Sequence, residues 1–118
     1  MKLLVRLSLA AALLAVTAAH ADEVMKKDGI LVNQAGMTVY TFDKDQEGMS
    51  VCAGQCAEAW PFVAAPASVA APYSVVTRED GGKQLALKGK PLYTFKKDMK
   101  PGDRNGDNFK TFWHIVKD

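Results

Sequence analysis

Histidine is nearly missing from this 118-residue chain: there are two, His20 near the N-terminus and His114 near the C-terminus. A Ser-His-Asp site in the body of the protein would have to use His114, so hydrolysis by a triad is disfavoured. Cysteine is equally scarce, with Cys52 and Cys56 alone. Ala57 follows Cys56 where a c-type haem attachment needs histidine, which excludes covalent haem. Long apolar runs are lacking too. The longest, Leu7 to Ala19, falls short of the roughly 20 residues of a comfortable membrane span, and none of that kind follows it.

Lys2 and Arg6 precede that run and Ala19-His20-Ala21 follows it, placing small residues at the −3 and −1 positions that signal peptidase reads. Residues 1–21 are therefore expected to be a signal peptide cut after Ala21. No cysteine stands just after the cut, so neither a lipid nor a membrane anchor is expected on the mature protein. The remaining 97 residues suffice for one domain, 22–118, with a single modest core. Losing Lys2 and Arg6 from a total of 15 basic residues leaves 13 against 13 acidic ones, so the mature chain is formally neutral. A nucleic-acid partner loses its simplest electrostatic argument. Lys83, Lys88, Lys90, Lys96, Lys97 and Lys100 cluster late in the chain and read as a solvated face.

What the chain does have is an internal repeat. Tyr40-Thr41-Phe42-Asp43-Lys44-Asp45 aligns with Tyr93-Thr94-Phe95-Lys96-Lys97-Asp98. Without a gap, Trp60 then falls on Trp113, each 20 residues after its tyrosine, and Gly36 falls on Gly89, each four before it. Two copies of one supersecondary unit follow, about 29–63 and 83–117, joined by an Ala- and Pro-rich linker from Ala64 to Pro72. The expected fold is mainly β: antiparallel strands from two pseudo-repeats, with a short helix in each connection. Strands are predicted at Ile30–Val32, Met37–Phe42, Tyr73–Thr77, Gln84–Leu87, Leu92–Phe95 and Phe112–Val116, with a helix around Ala57 to Trp60.

Strand alternation puts Tyr40 and Phe42 on one face and Thr41 on the other, as it does Tyr93, Phe95 and Thr94. With Trp60 and Trp113 these rings read as the core of each copy, since an aromatic side chain removes roughly 150–250 Å² from water. Asp45 and Asp98 come at strand ends, where a carboxylate accepts backbone N–H groups and fixes a turn. A sharper use of the same residues is a ligand or ion site built from both aspartates and both tyrosines.

In an oxidising compartment Cys52-Ala53-Gly54-Gln55-Cys56 is expected to close a disulfide. Helical i and i+4 Cβ atoms lie roughly 5–6 Å apart, too far for a good S–S bond, and Gly54 is the residue able to loosen that turn. The alternative is a thiol-redox pair or a soft-metal site in which copper(I) takes Cys52, Cys56 and Met49, with His114 as a further candidate ligand. His114 alone reads as a structural histidine. Asp103-Arg104-Asn105-Gly106-Asp107-Asn108 alternates oxygens like a calcium loop, but Asn108 replaces the glycine expected at its sixth position and His114 the glutamate at its twelfth. A plain turn is the reading adopted. No cofactor is expected.

At the repeated motif the chain resembles the family of secreted and lipoprotein repeats described by Tyr-x-(Phe/Trp/Tyr)-x-x-Asp. Gly36-Met37-Thr38-Val39-Tyr40-Thr41-Phe42, the two cysteines before Trp60-Pro61, Gly89-Lys90-Pro91-Leu92-Tyr93, Lys100-Pro101-Gly102-Asp103 and Trp113-His114 carry the resemblance. It covers nearly all of the mature chain. It implies a small bacterial envelope domain and brings no catalytic residues; an association with alkane catabolism attaches to the family only weakly. The function expected is that of a non-enzymatic binding or structural module, periplasmic or secreted, with a small ligand or an envelope protein as partner.

Overall fold

The computed structural model describes residues 23–117, so the expected signal peptide and its expected cleavage after Ala21 lie outside the described residues. Among the described residues are seven short strands and one α-helix: β1 (Val24–Lys27), β2 (Ile30–Asn33), β3 (Tyr40–Phe42), α1 (Gln55–Ala59), β4 (Tyr73–Thr77), β5 (Lys83–Leu87), β6 (Lys90–Pro91) and β7 (Trp113–Ile115). All strand pairs are antiparallel.

Each copy is led by a hairpin whose first strand lies ahead of the bounds read from the repeat: β1–β2 for the first and β4–β5 for the second. Asp28-Gly29 makes the first turn with φ of 53° and 84°, the type I′ pattern that suits strand twist. β1 is absent from the strands predicted above, although Asp-Gly between two short runs is the local signal for it. Lys88-Gly89, with φ of 52° and 83°, makes the same turn between β5 and β6.

The centre is a row of four paired segments that crosses the copies: β7, β3, the Tyr93 segment and the Phe62 segment. β7 pairs with β3, so the Trp segment of copy two lies on the Tyr-x-Phe strand of copy one. Reciprocally, Phe62 of copy one bridges Tyr93 of copy two, and the Thr94 N–H donates to the Pro61 carbonyl at 2.8 Å. Between them the equivalent tyrosines face each other: Tyr40 N–H donates to Tyr93 C=O at 2.7 Å and Tyr93 N–H to Tyr40 C=O at 2.9 Å. A residue paired with its own repeat mate across an antiparallel ladder marks a local twofold axis, and the bonds around it are mirrored. Asp43 N–H reaches Phe112 C=O at 2.8 Å, while Lys96 N–H reaches Ala59 C=O at 2.9 Å.

Alternation along these strands separates two cores. Tyr40, Cys52, Trp60, Tyr93, Phe95 and Trp113 form an aromatic cluster, with Phe42 half-buried against it. Leu31, Val39, Val63, Leu85 and Leu92 form an aliphatic one. The aromatic rings are thus one core shared by both copies, where the repeat alone predicts a core for each. Burying an aromatic pair face against another pair removes more apolar surface than two separate half-cores of this size.

The connection in copy one holds α1; that in copy two does not hold an α-helix. Phe109–Thr111 is a 3-10 turn in which Lys110 has φ 50°, entered from Asn108 at φ 62°. Left-handed residues at that frequency stop α-helical hydrogen bonding from propagating. α1 itself starts earlier than Ala57, at Gln55. Met37–Phe42 contributes a regular strand only over Tyr40–Phe42, with a single bridge at Thr38, and Leu92–Phe95 forms no regular strand: it bridges at Tyr93, flanked by backbone bonds of Leu92 and Thr94.

Candidate functional site

The motif residues converge on the twofold axis, and they do so across copies. Tyr40 donates its hydroxyl to Asp98 Oδ2 at 2.6 Å, and Tyr93 donates to Asp45 Oδ2 at 2.6 Å. Each aspartate also accepts backbone N–H groups of its own loop: Asp45 from Val51 at 2.7 Å, Asp98 from Asn105 at 2.9 Å and from the Asn105 side chain at 3.0 Å. The five-residue spacing from Tyr to Asp therefore serves two different partners. The tyrosine faces inward from the strand, and the aspartate at the strand end reaches the tyrosine of the other copy.

Behind the tyrosines four rings stack in the order Phe42, Trp113, Trp60, Phe95. Centroid separations are 4.1, 3.7 and 4.0 Å, with interplanar angles of 12°, 1° and 15°. Members of the two copies alternate at each outer contact. Tyr40 meets Trp60 edge-on at 5.3 Å, and Tyr93 meets Trp113 edge-on at 5.1 Å, the favourable geometry for ring quadrupoles.

Gly106 fits against this stack because it has no side chain. A Cβ there would lie 2.6 Å from Trp60 Cη2 and 3.0 Å from Phe95 Cδ2, both on rigid rings held from the far side. Gly106→Ala is expected to destabilise the domain by about 1–3 kcal/mol through overpacking, with chemical denaturation as the measurement. Wild-type stability in that variant would show that the stack has room to slide.

Burial raises the pKa of both phenols, and the facing carboxylates push it further the same way, so both stay protonated donors. Burial also raises the Asp45 carboxyl above its ordinary 3.8; the Tyr93 hydroxyl, the Val51 amide and Arg78 oppose that shift without cancelling it. The folded protein then holds this proton more tightly than the unfolded chain does. Ionising Asp45 costs stability, a cost absent below the ordinary carboxylate range and complete above the raised value. Replacing Asp45 with Asn removes the titration. The stability difference between wild type and Asp45→Asn should change with pH through the carboxylate range and level off at neutrality; urea titrations giving parallel pH profiles would contradict this.

Arg78 is the residue here that sequence reading passed over. Its side chain is 4 % exposed. It donates to Ser50 Oγ at 3.0 Å, Gln84 Oε1 at 3.0 Å and the Cys52 carbonyl at 2.8 Å, with its guanidinium 4.5 Å from the Phe62 ring centroid. Ser50 Oγ in turn lies 2.6 Å from Tyr93 Oη. No such arginine reaches the Tyr40–Asp98 pair; there the Gly106 N–H donates to Tyr40 Oη at 3.1 Å. A lone arginine just after a strand carries no signal of burial. Asn105-Gly106, reaching the second pair from the loop after Asp98, was legible only as a turn.

Cys52 and Cys56 are joined by a disulfide with Cα atoms 5.2 Å apart, and Gly54 turns the chain between them at φ 60°. The bond pins the loop that carries the Cys52 carbonyl to Arg78. With both sulfurs bonded to each other, no thiolate is left to ligate copper(I) in this state. Met49 is exposed, and His114 Nε2 lies 2.7 Å from Asp43 Oδ2 across β3 and β7. Among the described residues no three His, Cys, Asp or Glu side chains come together as a metal site. The oxygens of the 103–108 loop diverge: Asp103 accepts from Met99 and Lys100, and Asp107 from Ile115.

A groove of about 260 Å³ runs along the seam between the copies. Thr41, Phe42, Asp43, Asp45 and Glu47 of copy one line it, facing Lys88, Lys90 and Pro91 of copy two. Its walls carry both charge signs over one half-buried ring. Among the described residues no helix is long and apolar enough to cross a membrane.

A family described as a secreted repeat of unknown function matches residues 23–64 and again residues 74–117. The chain belongs to this family of secreted repeats. Each matched segment takes in one Tyr-x-Phe-x-x-Asp motif and its tryptophan, so the secreted-repeat unit is one half of the twofold arrangement. No curated protein and no solved structure matches the chain. The geometry of this secreted repeat assigns its motif to assembly: four of the eight motif side chains make the two cross-copy hydrogen bonds, and the other four make the ring stack.

Proposed function

We propose that this secreted repeat is a non-enzymatic module of the bacterial envelope, released into the periplasm or beyond after cleavage at Ala21, and that it works by binding. The observation that carries this reading is the full engagement of the motif: both carboxylates hold phenols, both phenols are protonated, and no nucleophile or base is left unpartnered at the twofold axis. The binding surface is the seam groove. Asp43 and Glu47 on one wall and Lys88 and Lys90 on the other suit a segment of an envelope protein bearing both charges better than a purely hydrophobic ligand.

A photo-crosslinking residue at Lys90 of the exported protein tests this, with the same residue at Lys117 as the comparison. A discrete adduct with one envelope protein from position 90, lost when Asp43 and Glu47 are reversed to lysine, supports the reading. Indistinguishable patterns from the two positions overturn it. The intact mass of the exported protein reads the cleavage site directly.

A further inference from the structure

We propose that β4 is a pairing edge for a second copy of this chain, joined antiparallel with Val75 at the dyad. β4 lies at the end of the three-stranded sheet β4-β5-β6 and pairs on one side only, with β5. The parity of its ladder is set at both ends. The Pro72 carbonyl accepts from Lys88 N–H, and Arg78 N–H donates to Gly82 C=O, so even-numbered residues bond toward β5. Alternation then turns the backbone groups of Tyr73, Val75 and Thr77 outward. Of these, Tyr73 N–H is held by the Ala70 carbonyl. Val75 N–H and C=O, Thr77 N–H and Tyr73 C=O have no partner among the described residues.

The twin strand in copy one shows what a protected edge looks like in this protein. β1 occupies the matching place in its hairpin and carries Lys26 and Lys27 within its four residues. Lysine on an edge is a usual device against strand addition. β4 reads Tyr-Ser-Val-Val-Thr, with no charge and no proline over five residues, and Val75 is 44 % exposed. The twofold plan of the domain was kept here without the guard.

The edge is also self-complementary. With Val75 opposite its symmetry mate, the two Val75 residues exchange both N–H···O=C bonds, and each Thr77 N–H meets the other copy's Tyr73 carbonyl. Tyr73 and Thr77 lie opposite each other at both ends, an aromatic against a β-branched side chain. Glu79, beyond the strand, falls opposite Ala71, so no like charges meet. Two three-stranded sheets become one continuous sheet of six strands, an ordinary size. This does not depend on the groove or on the envelope partner proposed above.

Sedimentation of the mature protein from micromolar to millimolar concentration tests it, with amide exchange read at Val75 and Thr77. A concentration-dependent dimer is expected, with protection of those two amides rising with concentration. Val75→Lys places two ammonium groups opposite each other and should weaken the dimer by about tenfold or more. Val75→Pro removes an outward N–H and leaves the β5 ladder intact, and should do the same. Met25→Lys on β1 should leave the dimer unchanged. Near-UV circular dichroism of the tryptophan stack confirms that each variant folds. A protein monomeric throughout, or a dimer that survives both Val75 variants, overturns the proposal.

Discussion

Trp60→Ala should cost about 3–5 kcal/mol of stability, the range for emptying a large buried aromatic. For a domain of about 95 residues, the described 23–117, a total stability of roughly 5–14 kcal/mol is ordinary, so this single change removes a large share of it. The reason for expecting the upper end is position. Trp60 lies between Trp113 and Phe95 in the stack and takes the edge of Tyr40 on its side. Its removal exposes two ring faces and one ring edge to a cavity that rigid neighbours cannot close. Trp60→Phe should recover part of the loss. In a cycle with Trp113→Ala the two costs should fail to add, because each mutation already removes the shared contact. Urea denaturation followed by far-UV circular dichroism gives all four stabilities, the double variant having no tryptophan left to report. A Trp60→Ala loss near 1 kcal/mol would mean that the stack is ornamental to the fold.

Asp98→Ala comes second, at about 3 kcal/mol. Asp98 is 6 % exposed and accepts three hydrogen bonds. Its loss leaves the Tyr40 hydroxyl and the Asn105 amide without an acceptor, and each unmet buried donor costs about 1–3 kcal/mol. Asp98→Asn keeps an acceptor and should cost clearly less. The informative comparison is between cycles. Asp98 with Tyr40→Phe should show a coupling of about 1 kcal/mol or more, since they share a bond between copies. Asp45 with Tyr40→Phe, two residues of one motif, should be additive within about 0.5 kcal/mol. The reverse result would place the Tyr–Asp bond within a copy and contradict the crossed arrangement.

Much of this molecule was legible as a sequence because its signals are local. The period-two alternation of Tyr40-Thr41-Phe42 and Tyr93-Thr94-Phe95 assigns faces, and a ring on a buried face is core wherever the strand ends up. The β1 hairpin was legible in principle from Asp28-Gly29, but its lysine-bearing strand lacks the β-branched run that draws attention to Ile30–Val32. The connection of copy two differs from that of copy one, although the repeat predicts a helix in both. Asn108, Lys110 and Thr111 sit at positive φ just after Gly106, where the chain passes too close to Trp60 for a side chain, an approach that no local signal announces.

By itself, then, the sequence determined a two-copy β domain, the spacing of its aromatic and acidic residues, and a cysteine pair close enough to bond. Tertiary structure alone decided which aspartate meets which tyrosine, which tryptophan lies on which strand, and that Arg78 is buried. The physical reason is that spacing specifies which side chains share a face, whereas partners across a ladder depend on which strands pair. Here the strands that pair at the centre are the equivalent ones. A contact made across a twofold axis always joins a residue to the other copy, and no property of either copy read alone contains that information.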